Sequence, residues 1–264
     1  MSDLRVGLDE RGRLVGAVLA ASQWPLLEQA QQPHATHAFA KQAQRWGQPF
    51  AQHPAVRHIN ARLEAGATIE TIFAWGLVDR SLDEFAAETA VSELWLSQEA
   101  GWKTAVVELQ NLLNLPALAQ FLTQLTRQPA LPPVHISPNL LFPALSPVLA
   151  QAAGELHLLL PPPKAVGTSP PWPYREDPGW VLTQLAQALL PHLLAEKFTP
   201  LPPAQQTLLT HAATAVCLAA MLDLFESQAY VLRSKKLHNL PQLPQAVAQL
   251  ERYLAGEDDL LLRD

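Results

Sequence analysis

The chain has 264 residues, 48% of them hydrophobic and 16% charged, with a formal net charge of −6. The apolar fraction marks a globular protein with a substantial core, in one large domain or two small ones. The acidic balance argues against a broad phosphate-binding surface, since the densest basic run is the short RSKK at 233–236, and no nucleic-acid partner is expected.

In chain order, the opening LRVGLDERGRLVGAVLAAS reads as a short strand, a polar turn and the start of a helix. Its charges stand where a signal peptide has its apolar stretch, and the longest uncharged apolar runs fall short of the ~18 residues of a membrane span. A soluble, cytoplasmic protein is expected. Helical spacing of Phe39, Ala40, Ala43 and Trp46 predicts a helix over 34–46, and a second segment ends at Gly66 with Pro54 in its first turn. A third helix is expected over 68–77, and Ser81 with Glu84 has the spacing of a capping box. Further helices follow over about 103–114 and from Pro116 to the RQPALPP segment.

Composition changes near residue 130, where PPVHISPNLL and GELHLLLPPP are short, apolar and bounded by prolines, as strands are. Two strands are the minimum reading, with a short helix or irregular loop in FPALSPVLAQAAG between them. A proline-rich connection over about 161–178 is unusually long for a compact domain. A helix from Pro178 to Lys197, bent or ended by Pro191, precedes a long one that continues to Lys236 and a last one over 243–254. Cys217, the single cysteine, excludes an intrachain disulfide, and its setting in ATAVCLAAML fits a buried core residue in a reducing compartment. The expectation is one mainly helical α+β domain with a small sheet packed on a helical core.

Nine histidines invite a search for metal, which needs three or four N, S or O ligands converging at about 2 Å. His34 with His37 and His53 with His58 have no acidic companion at a specific spacing and suit surface or capping roles. His192 and Glu196 share a helical face at i, i+4, and His211 on the next helix gives a third donor for a hydrolase built there. The adjoining Pro191 weakens that site. The chain has no Gly-x-Ser-x-Gly elbow and no glycine-rich phosphate loop, and Asp258 with Asp259 lies in a terminal segment suited to solvent. From the residues alone, no catalytic group, metal ligand or cofactor site is assigned.

Thr183, Gln184 and Gln187 are polar positions on the otherwise apolar segment DPGWVLTQLAQALLPHLL, spaced as in His-Glu-x-x-His. With the opening at 5–20, FAQHPAVRHINARLEAG, the strands VHISPNLL and ELHLLL, and the helix at 180–194, the chain over about 5–254 resembles a bacterial domain-of-unknown-function family whose members look like zincin metallopeptidases. In members that keep the motif, two histidines bind zinc and the glutamate is the general base. The resemblance places Thr183, Gln184 and Gln187 at those positions, with His211 nearest to the third ligand. Threonine and glutamine neither bind zinc well nor accept a proton as glutamate does. The resemblance therefore implies a zincin-like layout without zinc or peptidase activity, whose vestigial cleft binds a peptide or protein segment. The alternatives are the hydrolase at His192, Glu196 and His211, and a helical protein that self-associates or serves as a scaffold.

Overall fold

The computed structural model describes residues 4–31, 36–128, 130–142, 146–163 and 171–257. The chain begins with β1 (Leu4–Val6), followed by α1 (Glu10–Ala21), α2 (Trp24–Gln31), α3 (Ala38–Gly47), α4 (Pro54–Glu64) and α5 (Ile69–Val78). Next come α6 (Ser81–Glu88), α7 (Val91–Ser97), α8 (Glu99–Leu112) and α9 (Leu115–Thr126), then β2 (Val134–Pro138), β3 (Val148–Ala152) and β4 (Glu155–Leu160). The last helices are α10 (Pro178–Leu193), α11 (Ala195–Phe198), α12 (Pro203–Met221), α13 (Leu224–Leu237) and α14 (Leu243–Leu254). The fold is α+β and mainly helical, as expected. Its residues group into two compact units: a sheet-bearing unit of Leu4–Leu112 with Pro132–Asp177, and a helical unit of Leu113–Leu131 with the chain from Pro178.

In the sheet-bearing unit the strand order is β1-β2-β4-β3, with β1, β2 and β4 parallel and β3 antiparallel to β4. The segment expected as a short helix or loop thus ends in a strand. VLAQA alternates buried and more exposed positions, and Ala153 and Gly154, at φ 51° and 82°, close a two-residue hairpin. Helix α1 is buried along nearly its whole length, which explains its continuous apolar run. Glycines let its neighbours approach closely. A Cβ on Gly47 of α3 would lie 2.7 Å from the Cα of Ala21, and one on Gly76 of α5 would lie 2.6 Å from Val15.

Local signals misled the sequence reading in five places. The Ser81–Glu84 capping box does not form: Arg80 occupies the cap position, and the Ser81 amide donates instead to Asp79 Oδ1 at 2.7 Å. Helix α8 starts at Glu99, a turn before Lys103, and α2 was not anticipated. The long helix expected to reach Lys236 breaks at Leu222, after which Asp223 caps α13 by accepting from the Glu226 amide at 2.9 Å. Pro191 lies inside α10, and the break follows at Leu194, ahead of α11.

The proline-rich connection is described only in part, since residues 164–170 lie outside the described residues. Its later portion is fastened within the sheet-bearing unit. The Tyr174 amide donates to Glu108 Oε2 at 2.8 Å, its hydroxyl donates to the Leu160 carbonyl at 2.7 Å, and Arg175 pairs with Glu108.

In the helical unit, α12 is the central element and packs on α9, α10, α13 and α14. Tyr253 of α14 ties the unit together: its hydroxyl donates to the Leu125 carbonyl at 3.1 Å and accepts from Lys197 Nζ at 2.7 Å, and Arg127 lies over its ring. Helix α13 is inverted relative to ordinary amphipathic order. It buries Ser227, Tyr230 and Ser234 while Leu224, Phe225, Leu232 and Leu237 are 65–74% exposed.

Candidate functional sites

Two arrangements bring together chemistry-bearing side chains, one in each unit. The first is built by the parallel strands. The β2–β4 register sets His135 directly beside His157, so both imidazoles stand on one face of the sheet. The β1–α1 turn then carries Asp9 over that face. As the N-cap of α1, Asp9 accepts from the Gly12 amide through Oδ1 at 2.9 Å, which leaves Oδ2 for the histidines. His157 Nδ1 lies 2.9 Å from Oδ2, and His135 Nδ1 lies 3.9 Å from the same oxygen.

One donor atom from each of these residues lies within 4.8 Å of the other two, the only such group of three among the described residues. Burial works against the Asp9 carboxylate, but hydrogen bonds from His157 and the Gly12 amide, with the nearby imidazoles, hold its pKa below the usual value. Burial also lowers the pKa of His135, with Asp9 opposing only part of the effect. Around neutrality this favours an ionised carboxylate beside a neutral imidazole. The three residues open on a small cavity of about 10 Å³ that Arg13 also lines. The Arg13 guanidinium lies 4.6 Å from the ring centre of Trp95 and 4.8 Å from that of Trp102, and among the described residues its buried Nε has no hydrogen-bond partner.

The second arrangement lies in the helical unit and contains two of the residues singled out in the sequence. Gln187 Nε2 donates to the Tyr230 hydroxyl at 2.9 Å, and that oxygen lies 2.5 Å from His211 Nδ1. Burial, followed by the nearby His238, lowers the His211 pKa to about 4. A neutral His211 can accept the hydroxyl proton while Gln187 donates to the same oxygen. Thr183 and Gln184 are half-buried a turn earlier on α10.

The other sequence candidates are dispersed. His192 on α10 and Glu196 on α11 are exposed, whereas His211 is buried, and the three do not form a ligand cluster. His37 and His53 cap α3 and α4 by accepting backbone amides through Nδ1, at 3.2 Å and 3.1 Å. His58 stacks on Trp75 and accepts from Arg62. Cys217 is buried, which pushes its thiol pKa up to about 12 and suits a core role rather than a nucleophile. His34, Asp258 and Asp259 lie outside the described residues.

The sequence reading missed the Asp9–His135–His157 group because its members are far apart and share no local motif. The available signals were a histidine inside each of two apolar strand runs and an aspartate between a strand and a helix. No protein-family model, curated protein or solved structure matches the chain. Among the described residues, no helix is long and apolar enough to cross a membrane.

Proposed function

We propose that this is a cytoplasmic, non-catalytic metallopeptidase-like protein that binds a peptide or protein segment. The observation that carries this reading is the Gln187–Tyr230–His211 junction. Under the zincin resemblance, residue 187 stands for the second histidine of the motif and residue 211 for the third ligand position. The Tyr230 oxygen joins the two side chains, at 2.9 Å and 2.5 Å, where a shared ion would otherwise join them. A phenol, an amide and an imidazole satisfy one another there without a metal, and none of the three motif positions supplies a carboxylate base.

The inverted face of α13 supports a partner segment as the ligand. Phe225 and Leu232 lie two turns apart on one side of the helix, with Leu224 and Leu237 also exposed. Arg233, Lys235 and Lys236 on the same helix favour a segment that combines apolar anchors with acidic residues. The overall charge of −6 disfavours nucleic acid.

Selection of displayed random peptides on the intact protein tests this reading. Peptides with helically spaced apolar residues and Asp or Glu should be enriched, and a Phe225→Asp/Leu232→Asp variant should bind them at least about tenfold more weakly. No enrichment, or binding unaffected by the variant, would contradict it. The same exposed residues also support self-association as a second reading. Light scattering that shows a mass doubling abolished by the double variant would favour that reading instead.

A further inference from the structure

We propose that Asp9, His135 and His157 form a binding site for a first-row divalent cation such as zinc. Two imidazole nitrogens and one carboxylate oxygen are a suitable donor set, and the intermediate softness of zinc fits it better than that of magnesium or calcium, which favour all-oxygen sites. The site belongs to the sheet-bearing unit, so it does not depend on the junction in the helical unit.

The geometry carries the inference. Tetrahedral ligands at the usual zinc distances stand about 3.3 Å from one another. The His157–Asp9 and His135–Asp9 separations of 2.9 Å and 3.9 Å bracket that spacing. The third pair, between the two imidazoles, also lies within 4.8 Å, so side-chain rotations would bring one nitrogen of each histidine and an Asp9 carboxylate oxygen around one ion. The backbone fixes the arrangement, because the histidines are register partners and Asp9 is held by its cap to the Gly12 amide. The adjoining cavity of about 10 Å³ has room for one water as the fourth ligand.

A hydrogen-bonded carboxylate–imidazole pair with no affinity for metal is the competing explanation, and zinc and cobalt titrations of the intact, tag-free protein distinguish the two. After exhaustive chelation, the protein should bind one equivalent of zinc, and cobalt in the same site should give the visible absorption of a four-coordinate ion with nitrogen and oxygen ligands. Asp9→Asn retains a side chain able to cap α1 but removes the charge, so it separates metal binding from folding. That variant and His157→Gln should each weaken zinc at least about tenfold, whereas His192→Ala should leave it unchanged. Circular dichroism confirms that each variant is folded. The proposal is overturned if the parent takes up no stoichiometric zinc or cobalt, or if folded Asp9→Asn and His157→Gln bind as the parent does.

Discussion

Acidification should weaken the sheet-bearing unit through His37. This side chain is 5% exposed, and its Nδ1 accepts from the Ala40 amide as the N-cap of α3. Burial lowers its pKa from 6.5 to about 4. Between those values the unfolded chain binds the proton and the folded chain does not, so stability is present at neutral pH and is lost as pH falls through the window. Each pH unit inside it is worth about 1.4 kcal/mol, which gives a loss of roughly 2 kcal/mol between pH 7 and pH 5. The loss levels off below about pH 4, where both states are protonated.

His37→Asn isolates this contribution, because asparagine is a good N-cap and does not titrate. Urea unfolding by circular dichroism, with hydrogen exchange over 38–47, should show the parent's advantage over the variant shrinking by roughly 2 kcal/mol from pH 7 to pH 5. Parallel pH profiles for the two proteins would refute the reasoning.

Three other substitutions probe the packing. Gly47→Ala should destabilise the protein by about 1–3 kcal/mol in denaturant unfolding, because its Cβ would meet the backbone of Ala21 at 2.7 Å. Glu108→Ala should cost about 1–3 kcal/mol and speed proteolysis at 171–177, since it leaves the buried Tyr174 amide without its acceptor and removes one of the two carboxylates paired with Arg175. Ala90→Gly should stabilise by up to about 1 kcal/mol in thermal melts, because Ala90 sits at φ 48°, a left-handed conformation costly for alanine.

Sequence patterns revealed elements governed by local chemistry. Pro54 and Pro116 mark the first turns of α4 and α9, and α14 spans the expected residues 243–254. The strands at VHISP and ELHLLL were legible from their apolar runs between prolines, whereas β3 was not. VLAQA is short and rich in alanine and gains its strand character from pairing with β4. The division of the long helix depended on Asp223 acting as a cap, although the apolar spacing continues across the break.

The candidate sites show the same difference. His211 and Gln187 were singled out on their own helices, but Tyr230, which joins them, has no motif and lies on the buried face of α13 with Ser227 and Ser234. The Asp9 cluster depends on a strand register that joins residues 22 positions apart and on a turn that returns from the other end of the sequence. Neither relation has a local sequence signature. The sequence could name the donor types, while the fold alone brought them together.

Under the proposed function, α10 and α12 hold a metallopeptidase-like position in which Tyr230 stands in place of a metal. The most direct measurement is zinc stoichiometry after Thr183→His, Gln184→Glu and Gln187→His are combined with Tyr230→Phe, all in an Asp9→Asn background that removes the other cluster. Residues 183 and 187 lie one turn apart on the same helical face, and His211 is the third donor. One equivalent of bound zinc, lost on further His211→Ala substitution, is expected. A folded protein that gains no zinc, or zinc binding indifferent to His211, would contradict it.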